Sequence, residues 1–301
     1  MQEEMSITEF QRRFQTEDDC LDALEKLRWP NGFICPNCGH DDGYRLAKRR
    51  LIQCSVCRYQ SSVTASTIFH KTRIPLVHWF WMIYLVAQDK GGASAMRLAK
   101  QLNMHYKTTW FILHKIREAM SNREEARTLA GLIEMDQGFF GGTGRGVGRG
   151  KKHKTQVLVL VENEGEAAGN VIMRVIDHSH NMERDELREI VEQRVDEGSQ
   201  HFNADALQAH YVVKSMGHKL AVKKSVDEEG FEHLGWAHIF ISLAKRFLLG
   251  TYHGVSKKHL QPYLDEFCFR TNRRFREGSL TWSLLRACVF SVPVTYAELT
   301  T

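Results

Sequence analysis

Two pairs of cysteines constrain the fold of this chain more than any other feature. Cys35 and Cys38 form one Cys-x-x-Cys pair, Cys54 and Cys57 form a second, and fifteen residues separate the two pairs. Thiolates at this spacing, on two facing hairpin turns, supply four soft ligands in the tetrahedral arrangement that a structural zinc ion prefers. The sequence therefore predicts a zinc ribbon over residues 31–63, with Zn²⁺ as a structural cofactor.

The rest of the composition is that of an ordinary globular protein. Of the 301 residues, 43% are hydrophobic and 26% are charged, which excludes a chain dominated by disorder. Cys20, Cys268 and Cys288 are an odd set among apolar neighbours, so we expect buried free thiols in a reducing compartment. The longest apolar run, residues 74–87, is too short to span a bilayer. We expect a cytoplasmic protein with no membrane partner.

Positive charge is concentrated in separate stretches of the chain. The net charge is only +5, but residues 97–117 and residues 141–154 contain bases and no acids, whereas residues 1–30 are acidic. A single basic stretch is ordinarily just a solvated surface. Several such stretches on one chain favour a long polyanionic ligand, and we therefore expect nucleic acid as the partner.

The helical periodicity predicts two segments before residue 126. Residues 1–30 are predicted to form an N-terminal helical segment, and residues 64–125 a helical domain. Within that domain, residues 94–117 have the pattern of a helix-turn-helix, although a simple helical hairpin would give the same pattern. The side chains predicted to contact DNA from its second helix are those of Lys107, Thr108 and Lys115.

Beyond residue 125 the pattern changes from helical to strand-like. Three consecutive strands are predicted at 132–136, 156–162 and 170–177, followed by a helix at 183–194 and a strand at 201–205. Further alternation of helix and strand continues to about residue 224. This order is typical of a ribonuclease-H-like mixed sheet, so the predicted fold class is α/β, with a catalytic domain over residues 126–301 that ends in a basic extension.

Two aspartates end neighbouring strands of this predicted sheet. Asp136 ends the first strand and Asp205 the fourth, so their carboxylates are expected to converge at one end of the sheet. Paired carboxylates there can bind Mg²⁺ for phosphoryl transfer. Glu134 lies on the same strand face as Asp136 and is a reserve ligand. Taken singly, aspartates at strand ends are more often turn residues.

A helix predicted over residues 236–249 is amphipathic. Its apolar side contains Trp236 and Phe240, and its opposite side contains His238, Ser242 and Lys245. Such a polar face is ordinarily solvated. In a ribonuclease-H-like domain, however, this helix would pack beside the two aspartates.

Several motifs together resemble a known family. The segments CPNCGH and CSVC, then IEMDQGFFGG, FNADALQAHY and WAHIFISLAKRFLLGTYHGVSKKHLQPYLDEFCFRTNRR, resemble bacterial insertion-sequence transposases of the DDE superfamily, in the ISXO-type subgroup with an N-terminal zinc ribbon. The resemblance covers residues from about 30 to 278. It implies a DNA transposase that cleaves and joins strands with divalent metal ions.

The resemblance also implies roles for individual residues. Asp136 and Asp205 match the first two catalytic carboxylates, His238 occupies the third position, where most of the superfamily has Glu, and Lys245 matches a basic residue that contacts DNA near the cut. The subgroup includes members with His or Asn at the third position. Asp136, Asp205 and His238 would bind Mg²⁺ or Mn²⁺, and an imidazole ligand favours Mn²⁺. Glu232 is an alternative third ligand.

The remaining expectations concern DNA and assembly. The loop over residues 141–154 is interpreted as a basic segment that closes on DNA, or else as a merely mobile loop. The partners implied are double-stranded DNA, both transposon ends and target, and a homodimer or larger assembly on DNA. Two other functions remain open: a DNA-binding regulator derived from a transposase, and a metal-dependent nuclease of the same fold. The DNA-contacting residues predicted outside the helix-turn-helix are Arg145, Arg149, Lys151, Lys152, Lys245, Arg273 and Arg274.

Overall fold

The computed structural model describes residues 5–141, 154–176, 183–223, 233–274 and 280–300. The chain divides into two units. The first comprises Met1–Asn122 together with Arg276–Thr301, and the second is Arg123–Phe275. The structure thus assigns the C-terminal helices to the unit with the cysteines, whereas the sequence pattern predicted one domain over residues 126–301.

Helices make up most of the first unit and flank the sheet of the second. Within the described ranges, none of them is long and apolar enough to cross a membrane. They are α1 (Ile7–Arg13), α2 (Glu17–Arg28), α3 (Leu76–Gln88), α4 (Ala95–Gln101), α5 (Tyr106–Glu125), α6 (Arg184–Arg194), α7 (Val212–Ser215), α8 (Gly235–Tyr252), α9 (Leu260–Thr271), α10 (Leu280–Phe290) and α11 (Tyr296–Thr300).

The strands form two separate sheets. A small antiparallel sheet has the order β1-β2-β3 and belongs to the first unit, and a five-stranded sheet belongs to the second. The strands are β1 (Gly43–Leu46), β2 (Leu51–Cys54), β3 (Gln60–Ser61), β4 (Leu132–Phe140), β5 (Thr155–Asn163), β6 (Ala168–Val175), β7 (His201–Ala204) and β8 (Lys219–Val222).

The N-terminal segment forms two helices, and a capping box separates them. The Thr16 hydroxyl accepts the amide N–H of Asp19 at 3.2 Å, and the Asp19 carboxylate accepts the amide N–H of Thr16 at 2.8 Å. This reciprocal pair satisfies two N–H groups at the start of α2. The periodicity alone did not reveal this break, because the apolar residues of both helices keep the same spacing.

The core of the first unit is aromatic and includes the C-terminal segment. Phe10 packs on Phe14 and Tyr84, with ring centroids 5.2 and 4.4 Å away. From α10, Trp282 lies edge-on to Phe14 at 6.0 Å, and the carbonyl of Cys288 accepts the amide N–H of Ile68 at 3.5 Å. Helix α10 therefore completes a core that includes Phe10, Phe14 and Tyr84 from the first 90 residues.

The larger sheet has the order β6-β5-β4-β7-β8. Strand β5 pairs antiparallel with both β4 and β6, whereas β7 pairs parallel with both β4 and β8. Helices α8 and α9 cover one face, and α6 and α7 cover the other. The predicted ribonuclease-H-like mixed sheet is confirmed, and its central strand is β4.

A buried carboxylate holds the second unit together at the end of α5. Glu124 is 6% exposed and accepts hydrogen bonds from Arg127 at 2.9 Å, Asn272 at 2.7 Å and Arg273 at 2.6 Å. The Asn272 side chain also bonds the backbone of Val171 in β6 through both its oxygen and its nitrogen. Burial alone would raise the pKa of Glu124, but the hydrogen bonds and charges of Arg127 and Arg273 outweigh burial and lower the pKa.

We predict that Glu124→Gln lowers the free energy of unfolding by about 3–5 kcal/mol at neutral pH, because it leaves buried guanidinium groups without their anion. The pKa of Glu124 is lower in the folded state than in the unfolded state. Its contribution is therefore complete above the unfolded pKa of about 4.3 and is lost as the pH falls through the folded pKa. Urea unfolding at several pH values measures both effects.

The neighbouring acid provides the matched control. The side chain of Glu125 is 56% exposed, so Glu125→Gln should change the free energy of unfolding by less than about 0.5 kcal/mol. Equal effects at positions 124 and 125 would contradict the role given to Glu124.

Candidate active site

The two predicted catalytic aspartates lie side by side where β7 ends: Asp205 directly follows β7, whereas Asp136 lies in the middle of the central strand β4 and does not end it as predicted. The parallel pairing of β4 with β7 ends with Met135 opposite Ala204, so Asp136 and Asp205 are the next residues in both strands. Asp136 is 9% exposed, and the Asp205 side chain is 29% exposed. The topology therefore brings both carboxylates to one partly open position, as the strand order predicted.

Helix α8 supplies the third and fourth residues. The Nε2 atom of His238 lies 3.3 Å from an Oδ atom of Asp136. Lys245 lies seven residues further along the helix, with its ammonium 5.5 Å from the centre of the Phe140 ring. Burial and the nearby Lys154 lower the pKa of Lys245, while Asp136 raises it, so Lys245 lies within electrostatic range of that aspartate.

A glycine lets α8 approach the central strand. A Cβ atom at Gly138 would lie 2.7 Å from a ring carbon of Phe140 and 3.3 Å from the side chain of Ile241 in α8. Gly138 belongs to the triplet Asp136-Gln137-Gly138. Because Gly138 has no side chain, α8 can pack close to β4, and this close packing keeps His238 near Asp136.

The two aspartates have different electrostatic environments. Burial raises the pKa of Asp136, and the charge of Asp205 adds to this, while the Gln137 amide and His238 act in the opposite direction. Burial would also raise the pKa of Asp205, but the hydrogen bond and charge of His210, the Leu207 amide and the charge of His238 together outweigh burial and lower the pKa. One carboxylate therefore ionises more readily than the other.

His210 is a site residue that the sequence interpretation missed. It is fully buried, and its Nδ1 lies 2.8 Å from an Oδ1 of Asp205. Its Nε2 has no hydrogen-bond partner among the residues described. The motif FNADALQAHY contains this histidine, but only the short helical turn at Gln208–Tyr211 brings it back to Asp205.

Glu134 has a different position from the one expected of a reserve metal ligand. It is fully buried, and its carboxylate accepts the amide N–H of Ala237 at 2.9 Å and the side-chain N–H of Asn163 at 2.7 Å. Burial raises the pKa of Glu134, and the backbone N–H groups at the start of α8 act against this rise. An anion at a helix N-terminus is favourable, so Glu134 fixes the start of α8 against the sheet.

The four cysteines form a compact group. The Sγ atoms of Cys35 and Cys57 are 3.6 Å apart, as are those of Cys38 and Cys54, and all four lie within 4.8 Å of one another. Tetrahedral Zn²⁺ with bonds of about 2.3 Å requires sulfur separations of about 3.8 Å. The group therefore fits zinc. Each Cys-x-x-Cys turn ends in a residue with positive φ, Gly39 or Arg58.

Among the described residues, the cysteines are the one group of three or more potential ligands this close together. Asp136, Asp205 and His238 converge less tightly. Their chemistry nevertheless fits a divalent ion, because two carboxylates and one imidazole are donors that Mg²⁺ and Mn²⁺ accept. The charge of Asp205 also raises the pKa of Asp136, and a cation bound between the two carboxylates would relieve this repulsion.

Only part of the predicted DNA contact on α5 is accessible. Lys107 is exposed and Thr108 is half-buried, in the first turn of the helix. Lys115 is 8% exposed, and its ammonium donates to the carbonyl of Ile68 at 3.2 Å. The prediction for Lys115 does not agree with this position. The periodicity assigned one inward stripe to α5, whereas the helix is buried almost all round from Thr109 to Ser121.

The two arginines predicted to contact DNA near the end of α9 differ in their exposure to solvent. Arg273 is enclosed by its ion pair with Glu124 and by the ring of Phe269, 3.6 Å from the guanidinium, so it holds the fold and does not face DNA. Arg274 is exposed. The remaining predicted DNA contacts and the alternative ligand lie outside the described residues: Arg145, Arg149, Lys151, Lys152 and Glu232.

We predict that Glu134→Ala loosens the start of α8, because two buried donors lose their acceptor at a cost of about 2–4 kcal/mol. Hydrogen exchange measured by mass spectrometry should show faster exchange at residues 235–238. Glu134→Gln keeps an acceptor oxygen and should restore most of the protection. Unchanged exchange in Glu134→Ala would contradict the anchoring role.

Comparison with known proteins gives two matches of the same kind. Residues 128–272 match the ISXO2-like transposase domain of the IS1595 group, and residues 15–60 match the transposase zinc-ribbon domain of that group. A search of curated proteins gives no match.

A solved structure also matches, the crystal structure of a pre-cleavage Mos1 transpososome. It is 10% identical, with 69% of this chain and 74% of that chain covered and a TM-score of 0.29. The two domain matches together span well over half of the residues. The chain belongs to the IS1595 family of ISXO2-like transposases with an N-terminal zinc ribbon.

Proposed function

We propose that this transposase binds the terminal inverted repeats of its own insertion sequence and catalyses metal-dependent cleavage and joining of DNA strands. The observation that carries the proposal is the convergence of Asp136, Asp205 and His238 where β7 ends beside β4, with Lys245 on the same helix as His238. Two carboxylates that can bind metal ions, together with the Lys245 ammonium, suit phosphoryl transfer, because the negative charge on the reacting phosphate must be stabilised.

The side chains would divide the chemistry as follows. Asp136, Asp205 and His238 would bind the divalent ions, and such ions, when bound, activate an attacking oxygen and stabilise the leaving one. His210 would hold Asp205 in a fixed orientation through their 2.8 Å contact. Lys245 would contact a phosphate next to the reacting one, because its partly desolvated ammonium interacts more strongly with an anion than a fully hydrated one does.

Histidine at the third position changes the charge of the site. A glutamate there would bring a negative charge, whereas a neutral imidazole brings one nitrogen donor. The bound ions would therefore keep more of their positive charge for the phosphate, and Mn²⁺ would be preferred over Mg²⁺ because imidazole is a softer ligand than carboxylate.

The first unit would recognise DNA. The zinc ribbon carries exposed cations, and α5 exposes Lys107 on its first turn, the part of a recognition helix that contacts base edges. We expect both transposon ends to be bound together, by a dimer or larger assembly of this chain.

Two other functions would use the same fold. A nuclease would cleave the ends without joining them, and a regulator would bind the ends without cutting. A strand-transfer assay with the element's own ends, target plasmid and Mn²⁺ or Mg²⁺ distinguishes the three. Joined product is the result expected here, cleavage alone would favour the nuclease, and binding alone the regulator.

We predict that Asp136→Asn, Asp205→Asn and His238→Ala each lower joining by about a thousandfold or more, since each removes a metal ligand worth several kcal/mol in the transition state. Binding of the ends, measured by fluorescence anisotropy, should remain unchanged. Joining near the wild-type rate in either aspartate variant would overturn the site assignment. Near-normal rates in His238→Ala would move the third ligand elsewhere.

We predict one zinc per chain by elemental analysis, and its loss in Cys54→Ser. Because structural zinc contributes about 10–16 kcal/mol to folding of such domains, end binding should be lost along with the metal. Val56→Ala is the control, since Val56 lies between Cys54 and Cys57 but is 64% exposed. Zinc retained in Cys54→Ser, or lost equally in Val56→Ala, would contradict the four-cysteine site.

A further inference from the structure

One face of the zinc ribbon sheet presents a row of side chains that neither the fold nor the catalytic site uses. Tyr44 in β1 pairs with Gln53 in β2, and Gln53 pairs with Gln60 in β3, so the three residues form one row across all three strands. Tyr44 is 57% exposed, Gln60 is exposed and Gln53 is half-exposed. Cross-strand neighbours point to the same side of a sheet, so the row forms a single surface.

The opposite side of this sheet is the one that packs on the protein. The adjacent row is Arg45, Ile52 and Ser61, in which Ile52 is 8% and Ser61 is 1% exposed. The guanidinium of Arg45 forms an ion pair with Glu25 of α2. The row of Tyr44, Gln53 and Gln60 therefore faces outward.

We propose that this outward row reads base edges in the major groove of the transposon end, with the two glutamines recognising an A·T base pair. The proposal rests on the function proposed above, namely recognition of the inverted repeats. Strands of a small sheet can enter the major groove, as helices do. With strands about 4.8 Å apart, the row spans about 10 Å, which fits a groove of about 12 Å.

The two glutamines are already oriented. The side-chain N–H of Gln60 donates to the side-chain oxygen of Gln53 at 2.9 Å. This bond leaves the Gln53 amide nitrogen as a donor and the Gln60 amide oxygen as an acceptor. Adenine presents the complementary pair in the major groove, the N7 acceptor and the N6 donor. A preformed pair also loses less side-chain entropy on binding.

The charges around the row suit a phosphate backbone. Within the described residues, Arg45 and Arg50 are paired with Glu25 and Asp18. The other ribbon cations form no ion pair in that part of the chain and are exposed: Lys48, Arg49 and Arg58. Lys48 and Arg49 lie in the turn between β1 and β2, and Arg58 lies just before β3, so cations flank the row along the chain.

The test compares two fluorescein-labelled duplexes, one carrying the inverted repeat that bounds this chain's own gene and one scrambled duplex of equal composition. Gln53→Ala with Gln60→Ala should lower the ratio of specific to non-specific affinity about tenfold or more, with non-specific affinity unchanged. Lys48→Ala with Arg49→Ala should lower both affinities together and reduce their salt dependence. Gln88→Ala, at an exposed glutamine of α3, is the matched control.

A second variant is expected to change the base preference instead of weakening specific binding. In Gln53→Glu the free donor is replaced by an acceptor, so selection from randomised duplexes should shift one position from A·T toward cytosine, whose N4 group donates. Equal zinc content in all variants shows that the ribbon remains folded.

Several outcomes would overturn the proposal. An unchanged affinity ratio in the double glutamine variant would do so, as would an equal loss on both duplexes, which would indicate a phosphate contact only. Unchanged binding with impaired pairing of two ends would make the face a protein interface instead. If the wild-type chain shows no preference for its own ends, both this inference and end recognition fail. Absent joining with specific binding intact would contradict only the catalytic part of the proposed function.

Discussion

The candidate active site depends on the two faces of one strand. In β4, Ile133 and Met135 point into the core beneath α6, while the alternate residues face α8. On the α8 side, Glu134 binds the helix start, Asp136 meets His238, and Gly138 makes room for Ile241. Because side chains alternate along a strand, a shift of one residue would place all of these groups in the wrong core. The register of β4 thus determines three things together: the contact of Glu134 with the start of α8, the contact of Asp136 with His238, and the close approach of α8 at Gly138.

Burial decides which of the basic residues are accessible to a partner, and their spacing along the chain does not reveal it. Arg273 and Arg274 are adjacent, yet one is locked in an ion pair with Glu124 and the other is exposed. Lys107 and Lys115 lie on one helix, yet only Lys107 reaches solvent. A guanidinium or ammonium is costly to bury without a partner, and in each case the partner comes from a distant part of the chain: the carboxylate of Glu124 or the carbonyl of Ile68.

The parts of the structure that could be predicted are those that local pattern specifies. Period-two and period-3.6 patterns located the strands and helices of the second unit, and the strand order placed Asp136 beside Asp205. His210 could not be found in this way, because a helical turn, not a periodic element, returns it to Asp205. Glu134 was predicted on the correct face of β4 but as a metal ligand, whereas it accepts a hydrogen bond from the N-terminus of α8. A carboxylate can bind either a metal ion or a helix N-terminus, so the sequence alone does not distinguish the two roles. The attachment of α10 to the first unit depends on packing between residues more than 200 positions apart, such as Phe14 and Trp282.

That attachment has a consequence for the order of events during synthesis. On the ribosome, the cysteines, the aromatic residues of α1 and α3, and the whole second unit are made before Trp282 and Cys288 exist. All core residues of the second unit have been synthesised by about residue 275. In the first unit, Phe14 and the amide N–H of Ile68 lack their partners in α10 until that helix has been synthesised. The unit that contains the cysteines therefore finishes folding after the unit that contains the large sheet, and a product terminated near residue 275 would contain a complete second unit joined to an unfinished first one.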